Sequence, residues 1–340
     1  MKVVAYINPQ YDSELLALIN FKYKVLEAES EKAIQKRLFI LENNTIKLLY
    51  VAPANKLSLF FWFKITLPKI LKAYGNPIFL QSNQSLLLKN YTNTFLFLNS
   101  HTHFKKKLIK VIKSAKRIFV AENFIKNNII TTYKIIDSKI FTLHYSANFA
   151  IKKNILVNAD TIKSNFTNGT DFFFCEIDAS SLNYAVEILK AFSQFKNRQK
   201  STLKIIFFSD GFEQKIIVPN FKNYLYKNDV IFVNDKVDMA LAFIAASFAM
   251  LYFTNYRMQN YALFAFANNI PVLALQNDIN LSLFEDVVFY ATADTLTFKL
   301  QELYKNETVV KNLTTQAAKF VNKYTLENAS ATFFSDLLIP

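Results

Sequence analysis

Short apolar runs alternate with stretches of helical periodicity along most of the chain. In the first half the strand-like runs fall near residues 2–7, 46–51, 77–81, 94–98, 117–121 and 140–145. A polar stretch from Lys152 to Thr170, rich in asparagine, interrupts the pattern and marks a domain boundary. The alternation then restarts, with strands predicted at Phe172 to Cys175, Leu203 to Phe208, Val230 to Val233, Phe248 to Phe253, Pro271 to Leu275 and Val287 to Tyr290. Strand and helix in strict alternation predict parallel sheets with crossover helices. The expected organisation is two Rossmann-like α/β domains over residues 1–155 and 156–325, with a C-terminal helix in 326–340 crossing back toward the first. Ligands of open parallel sheets sit beyond the carboxyl ends of the strands, so a site is expected in a cleft where two such sheets face each other.

Composition narrows the chemistry. A chain of 340 residues suits two cores, and 52% hydrophobic against 19% charged residues is enough to fill them. The longest uncharged stretch, Met239 to Tyr256, divides better into a short helix and a buried strand than into a membrane span. Met1-Lys2 leads straight into a strand-like run, so no leader peptide is expected. The single Cys175 excludes an intramolecular disulfide framework and fits a reducing compartment, so a cytoplasmic location is expected.

Only Gly75, Gly169 and Gly211 are glycines. Neither a P-loop nor a dinucleotide fingerprint can be written with them, because both need clustered glycines to bring backbone N–H groups onto phosphate. The net charge of +14 comes from 36 lysines and four arginines. Lysine supplies diffuse charge rather than the fork geometry that reads bases, so nucleic acid is not an expected partner.

Several segments resemble group 1 (family 4) GT-B glycosyltransferases. Phe172 to Ile177 resembles the first strand of that family's donor domain, Glu187 to Phe192 with Phe195-Lys196 its following helix, and Leu203 to Phe208 its next strand. Asp229 to Val233 and Leu241 to Ser247 are similar to the strand and helix before its glutamate motif. The most specific match is Phe264-Ala265-Phe266-Ala267-Asn268-Asn269-Ile270-Pro271-Val272, which resembles Glu-Ala-Met-Ala-x-Gly-x-Pro-Val. Leu67 to Lys72 and Ala115 to Glu122 with Lys126 resemble acceptor-domain segments, and the likeness covers roughly residues 60 to 337. It implies a GT-B fold and retaining transfer of a sugar from a nucleotide-sugar donor without a metal or other cofactor.

The same alignment implies that the residues for that chemistry are replaced. Sugar transfer needs cations or aligned N–H groups on the leaving diphosphate, where negative charge grows. The family's lysine falls on Asn183, or on Ser181 with a gap, and its arginine on Glu176, whose charge repels a diphosphate. Of two glutamates with seven residues between them, the second matches Phe264 and the first Tyr256 or, with a gap, Met258; the neighbouring glycines become Arg257, Gln259 or Asn260. Arg257 at a helix start could meet a phosphate, although an exposed arginine is the plainer reading. On the acceptor side the family's histidine corresponds to His101 or His103, neither followed by aspartate, and no third ligand nearby makes them a metal pair.

Lys106, Lys110, Lys113 and Arg117 recur at helical spacing opposite Leu108, Ile109 and Ile112, a basic face suited to anionic lipid headgroups. Phe60-Phe61-Trp62-Phe63-Lys64 could add an aromatic anchor; the plainer reading of both is a solvated helix face and a buried aromatic edge. The resulting expectation is a cytoplasmic, peripherally membrane-bound glycosyltransferase-type protein of cell-surface or lipid-linked glycan assembly with impaired catalysis. The alternative is a non-catalytic GT-B scaffold that binds a partner glycosyltransferase or a glycan.

Overall fold

The computed structural model describes residues 2–7, 13–23, 37–42, 45–53, 55–82, 88, 91–98, 106–121, 123–144, 158–177, 181–209, 221–234, 237–253 and 259–338. The chain forms two compact units, Met1–Ala150 with Lys323–Pro340, and Ile151–Asn322.

The first unit is built on a seven-stranded sheet in the order β3-β2-β1-β4-β5-β6-β7. Its strands are β1 (Val3–Ile7), β2 (Arg37–Glu42), β3 (Thr45–Val51), β4 (Ile78–Ser82), β5 (Thr94–Leu98), β6 (Arg117–Val120) and β7 (Ile140–Thr142). From β1 through β7 by way of β4 the pairing is parallel, whereas β1-β2 and β2-β3 are antiparallel. The β2 strand and its hairpin with β3 are absent from the sequence expectation. Their signal is the apolar run Leu38 to Leu41 followed by Asn43-Asn44, a turn dipeptide between two strand-like segments.

Side-chain alternation sorts this sheet into two faces. Val3, Ala5, Ile7, Ile78, Leu80, Phe95, Phe97 and Phe119 pack on one side with α1 (Ser13–Tyr23) and the C-terminal helix. Val4, Tyr6 and Phe79 on the other side meet Leu59, Trp62, Phe63, Leu67 and Leu71. These five lie on α2 (Lys56–Phe61), a π-helical turn (Trp62–Thr66) and α3 (Leu67–Ala73), which run as one continuous helix. On the same face Leu96, Leu98, Ile118 and Val120 pack with α4 (Lys106–Ser114) and α5 (Asn123–Tyr133).

The second unit holds a six-stranded, wholly parallel sheet in the order β10-β9-β8-β11-β12-β13. It comprises β8 (Phe172–Glu176), β9 (Lys204–Ser209), β10 (Val230–Asn234), β11 (Ala249–Tyr252), β12 (Val272–Leu275) and β13 (Phe289–Ala291). Every strand has its counterpart in the sequence expectation. The polar stretch from Lys152 to Thr170 contains a helix, α6 (Ala159–Thr167), capped by Asn158 and ended by Asn168 and Gly169 in left-handed conformation. Phe166 of α6 anchors it edge-on to Phe243, at 4.7 Å between ring centres.

One face of this sheet, through Phe173, Cys175 and Ile177, packs on α7 (Leu182–Gln199) and α11 (Leu296–Lys305). Phe172 and Phe174 on the other face meet Phe243 of α8 (Val237–Ala246). The Met239 to Tyr256 stretch therefore does divide into a helix and a strand, and no helix among the described residues is long and apolar enough to cross a membrane. After α9 (Gln259–Ala267), α10 (Asp278–Phe284) and α12 (Glu307–Val321), the chain ends in α13 (Leu326–Leu338). This last helix belongs to the first unit: Phe333 meets Phe119 at 5.0 Å and Phe97 at 6.1 Å, both edge-on.

Candidate functional site

In the second unit, strands β8 and β11 sit side by side at the centre, and chain order runs outward from them in opposite directions. That is the topological switch point of a doubly wound sheet, and its carboxyl edge is where such sheets receive ligands. Glu176 ends β8 there, and Tyr252 ends β11. The register Cys175 to Leu251 puts Glu176 and Tyr252 on the same face, the one away from α7. Glu176 is only 6% exposed. Beyond it the chain stays tied to the sheet, with the Ile177 N–H donating to the Phe208 carbonyl at 2.8 Å.

Neighbouring groups bear on the electrostatics of this edge. Burial pushes the Cys175 thiol up, and the Glu176 carboxylate beside it adds to the rise. Ser181, fully buried, is the residue before α7, and Asn183 stands exposed in its first turn, which holds no acidic residue. Neither candidate for the family's lysine is a basic residue, and the residue at the strand end is a glutamate.

Phe264 is 1% exposed and lies within α9, so the position aligned with a ribose-binding glutamate is here a core position. Its carbonyl accepts from the Asn268 side-chain amide at 2.9 Å, which ends the helix. Nearby, Phe266 and Tyr252 both meet Phe284 of α10 edge-on, at 5.9 Å and 5.0 Å. These contacts fill the sheet side with aromatic rings.

Three residues of this edge escape sequence reasoning. Tyr252 is a fully buried tyrosine at the end of an otherwise apolar strand, and Ser209 is a buried serine at the end of β9. Asn280 donates its side-chain amide to the Leu275 carbonyl at 2.8 Å at the end of β12, while its Oδ1 meets no donor among the described residues. The Asn277-x-x-Asn280 spacing is a legible capping signature, and Asn277 does accept from the Asn280 N–H at 2.7 Å. Nothing in the sequence shows that the second asparagine turns inward.

Lys196 is a buried cation but lies at the opposite edge. Its ammonium pairs with Asp229 at 2.9 Å and donates to the carbonyls of Leu203, at 3.0 Å, and Ser201. All three precede β9 or β10, so Lys196 clamps the amino ends of the strands. No group of three or more His, Cys, Asp or Glu able to hold a metal occurs among the described residues.

Tyr256, Arg257, His101 and His103 lie outside the described residues. Lys106 opens α4, its side chain likewise outside them, and Lys110 and Lys113 are exposed. Arg117 does not continue that helix, contrary to the sequence reading. The helix stops at Ser114, and Arg117 starts β6 in register with Phe95, on the opposite face of the sheet. There its guanidinium lies over the rings of Phe95 and Phe141 and donates to the Asp336 carbonyl of α13. The aromatic segment also divides: Trp62 and Phe63 are core residues, while Phe60 and Phe61 are exposed.

No protein-family profile matches the chain, and no curated protein matches it by sequence. Solved structures do match it. A glycosyltransferase from Rickettsia africae superposes with a TM-score of 0.63 at 13% identity, over 85% of this chain and 83% of that one. Anabaena HepE, solved in complex with UDP and glucose, gives 0.59 at 12% identity, over 80% of each chain. The N-terminal domain of a Candida albicans trehalose-6-phosphate phosphatase gives 0.56 at 13%, over 84% of this chain and 78% of that one. At such identities the likeness speaks for architecture, and these neighbours do not carry one activity in their names. Two α/β units with parallel sheets, resembling these structures over most of their length, give the chain the GT-B fold.

Proposed function

We propose that this protein is a GT-B protein of the glycosyltransferase type, serving cell-surface or lipid-linked glycan assembly from the cytoplasmic side of a membrane, with sugar transfer impaired. The observation that carries this reading is the buried carboxylate of Glu176 at the switch point of the second sheet. The leaving diphosphate of a nucleotide sugar needs a cation, and the side chain at this strand end is a carboxylate.

A second reading, a non-catalytic scaffold that binds a partner glycosyltransferase or a glycan, is favoured by the burial of Phe264. A buried phenylalanine has no carboxylate to offer a ribose.

Calorimetric titration of a nucleotide-sugar panel separates these readings. The expected result is no saturable heat from the wild type and a gain of UDP binding in Glu176→Gln. Micromolar binding with hydrolysis by the wild type would overturn the impaired reading. Silence in both proteins favours the scaffold.

A further inference from the structure

The chain's positive charge is concentrated in one stretch. From residue 43 to residue 121 the sequence holds thirteen Lys and Arg and not one Asp or Glu, while the rest of the chain is balanced, 27 cationic to 26 acidic. This stretch supplies α2, the π turn, α3 and α4, which cover the same face of the first sheet. The third helix on that face, α5, adds Lys126, whose charge is paired with Asp137 at 2.7 Å.

The outer side of the α2–α3 helix is apolar where a solvated helix would be polar. Leu57 is 70% exposed, Phe61 51%, Ile65 52% and Phe60 38%, at helical spacing on the side away from the core. The π turn, from which the Leu67 N–H reaches the Trp62 carbonyl, lies where inward Trp62 and Phe63 follow outward Phe60 and Phe61. Lys64 holds its ammonium 4.1 Å from the Phe60 ring centre, and Lys69, Lys72, Lys110 and Lys113 are exposed on the helices of the same layer.

We propose that this layer docks on an anionic lipid bilayer, with Leu57, Phe60, Phe61 and Ile65 entering the boundary between headgroups and acyl chains and the lysines contacting anionic headgroups. Charge complementarity selects this occupant. A second copy would bring the same lysine-rich surface against itself and be repelled. A nucleic acid would satisfy the lysines but leave the aliphatic residues exposed, and the stretch holds a single arginine, Arg117, turned to the other face of the sheet. The proposal deepens the membrane part of the reading above and does not depend on sugar transfer.

The test is co-sedimentation of the full chain with vesicles of phosphatidylcholine alone and of phosphatidylcholine mixed equally with phosphatidylglycerol. Binding is expected to the mixed vesicles only and to weaken with added salt. The double variant F60S/F61S is expected to lose at least about tenfold in partitioning. Replacing Lys64, Lys69 and Lys72 by glutamine is expected to lose on the order of a hundredfold, at about fivefold per lysine. Because all five side chains are exposed, both variants should keep the wild-type thermal melt, which is measured in parallel. Any of three results overturns the proposal: no binding to mixed vesicles, binding indifferent to F60S/F61S, or sedimentation velocity showing a wild-type dimer that these substitutions dissociate. Duplex DNA binding tighter than the vesicles and unaffected by F60S/F61S would also overturn it. Lipid binding and the nucleotide titration are separate measurements, so either reading can fail while the other stands.

Discussion

Replacing Phe333 by alanine tests whether the last helix is part of the first unit's core. Phe333 is fully buried and touches Phe97 of β5, Phe119 of β6 and Phe334 of its own helix, all three pairs edge-on. Truncating a buried phenylalanine costs about 3–5 kcal/mol, and loss of favourable ring geometry pushes the value toward the upper part of that range. Taking about 4 kcal/mol and a urea slope of about 2 kcal/mol per molar, the unfolding midpoint should fall by about 2 M. The reporter is built in: Trp62 is the single tryptophan and packs in the first unit against the opposite face of the same sheet. Its fluorescence therefore follows this unit. Phe298→Ala, at an exposed position of the second unit, is the control and should leave the tryptophan transition in place. A shift in F333A below about 0.5 M, or about 1 kcal/mol, would refute the account of α13 as a core element.

Lys196→Met should destabilise the second unit by about 3 kcal/mol, because Asp229 and two carbonyls lose a buried partner; circular dichroism in urea reads it, and a wild-type midpoint would contradict the clamp. Cys175 should react with a thiol reagent only as fast as the protein unfolds, since burial and Glu176 hold its thiol protonated well above neutral pH; rapid labelling of native protein would refute this. Phe264→Glu, which restores the carboxylate at the aligned position, should cost about 3 kcal/mol or more and yield no gain in UDP binding, whereas Phe264→Leu should cost less than about 2 kcal/mol. A well-folded Phe264→Glu variant that binds UDP would show that the position still faces a ligand.

Local pattern carries most of the second unit. Each of its strands is a short apolar run bounded by polar residues, and its βαβ order determines the parallel pairing without help from distant contacts. The same rule fails at the first hairpin, because an apolar run such as Leu38 to Leu41 has no periodicity that separates a strand from a buried helix turn. It also fails at Arg117, which keeps helical spacing with Lys113 although the helix has already ended.

At the candidate site, Glu176 ends a strand and Phe264 lies in a helix. The inward-turned Tyr252, Ser209 and Asn280 are invisible in sequence, because a polar residue at a strand or helix end is normally solvated and only packing from other segments decides otherwise.

The amino-acid sequence by itself determined the alternation that builds two parallel-sheet units, the exclusion of glycine-rich phosphate loops and the basic character of the chain, all of which are local or additive properties. Only the tertiary structure decided which faces those residues occupy. It put α13 on the first sheet, Lys196 at the strand ends away from the site, and Trp62 and Phe63 inward while Phe60 and Phe61 stayed out. The physical reason is the same in each case: burial is a property of what the rest of the chain brings to a surface, and no window of neighbouring residues contains it.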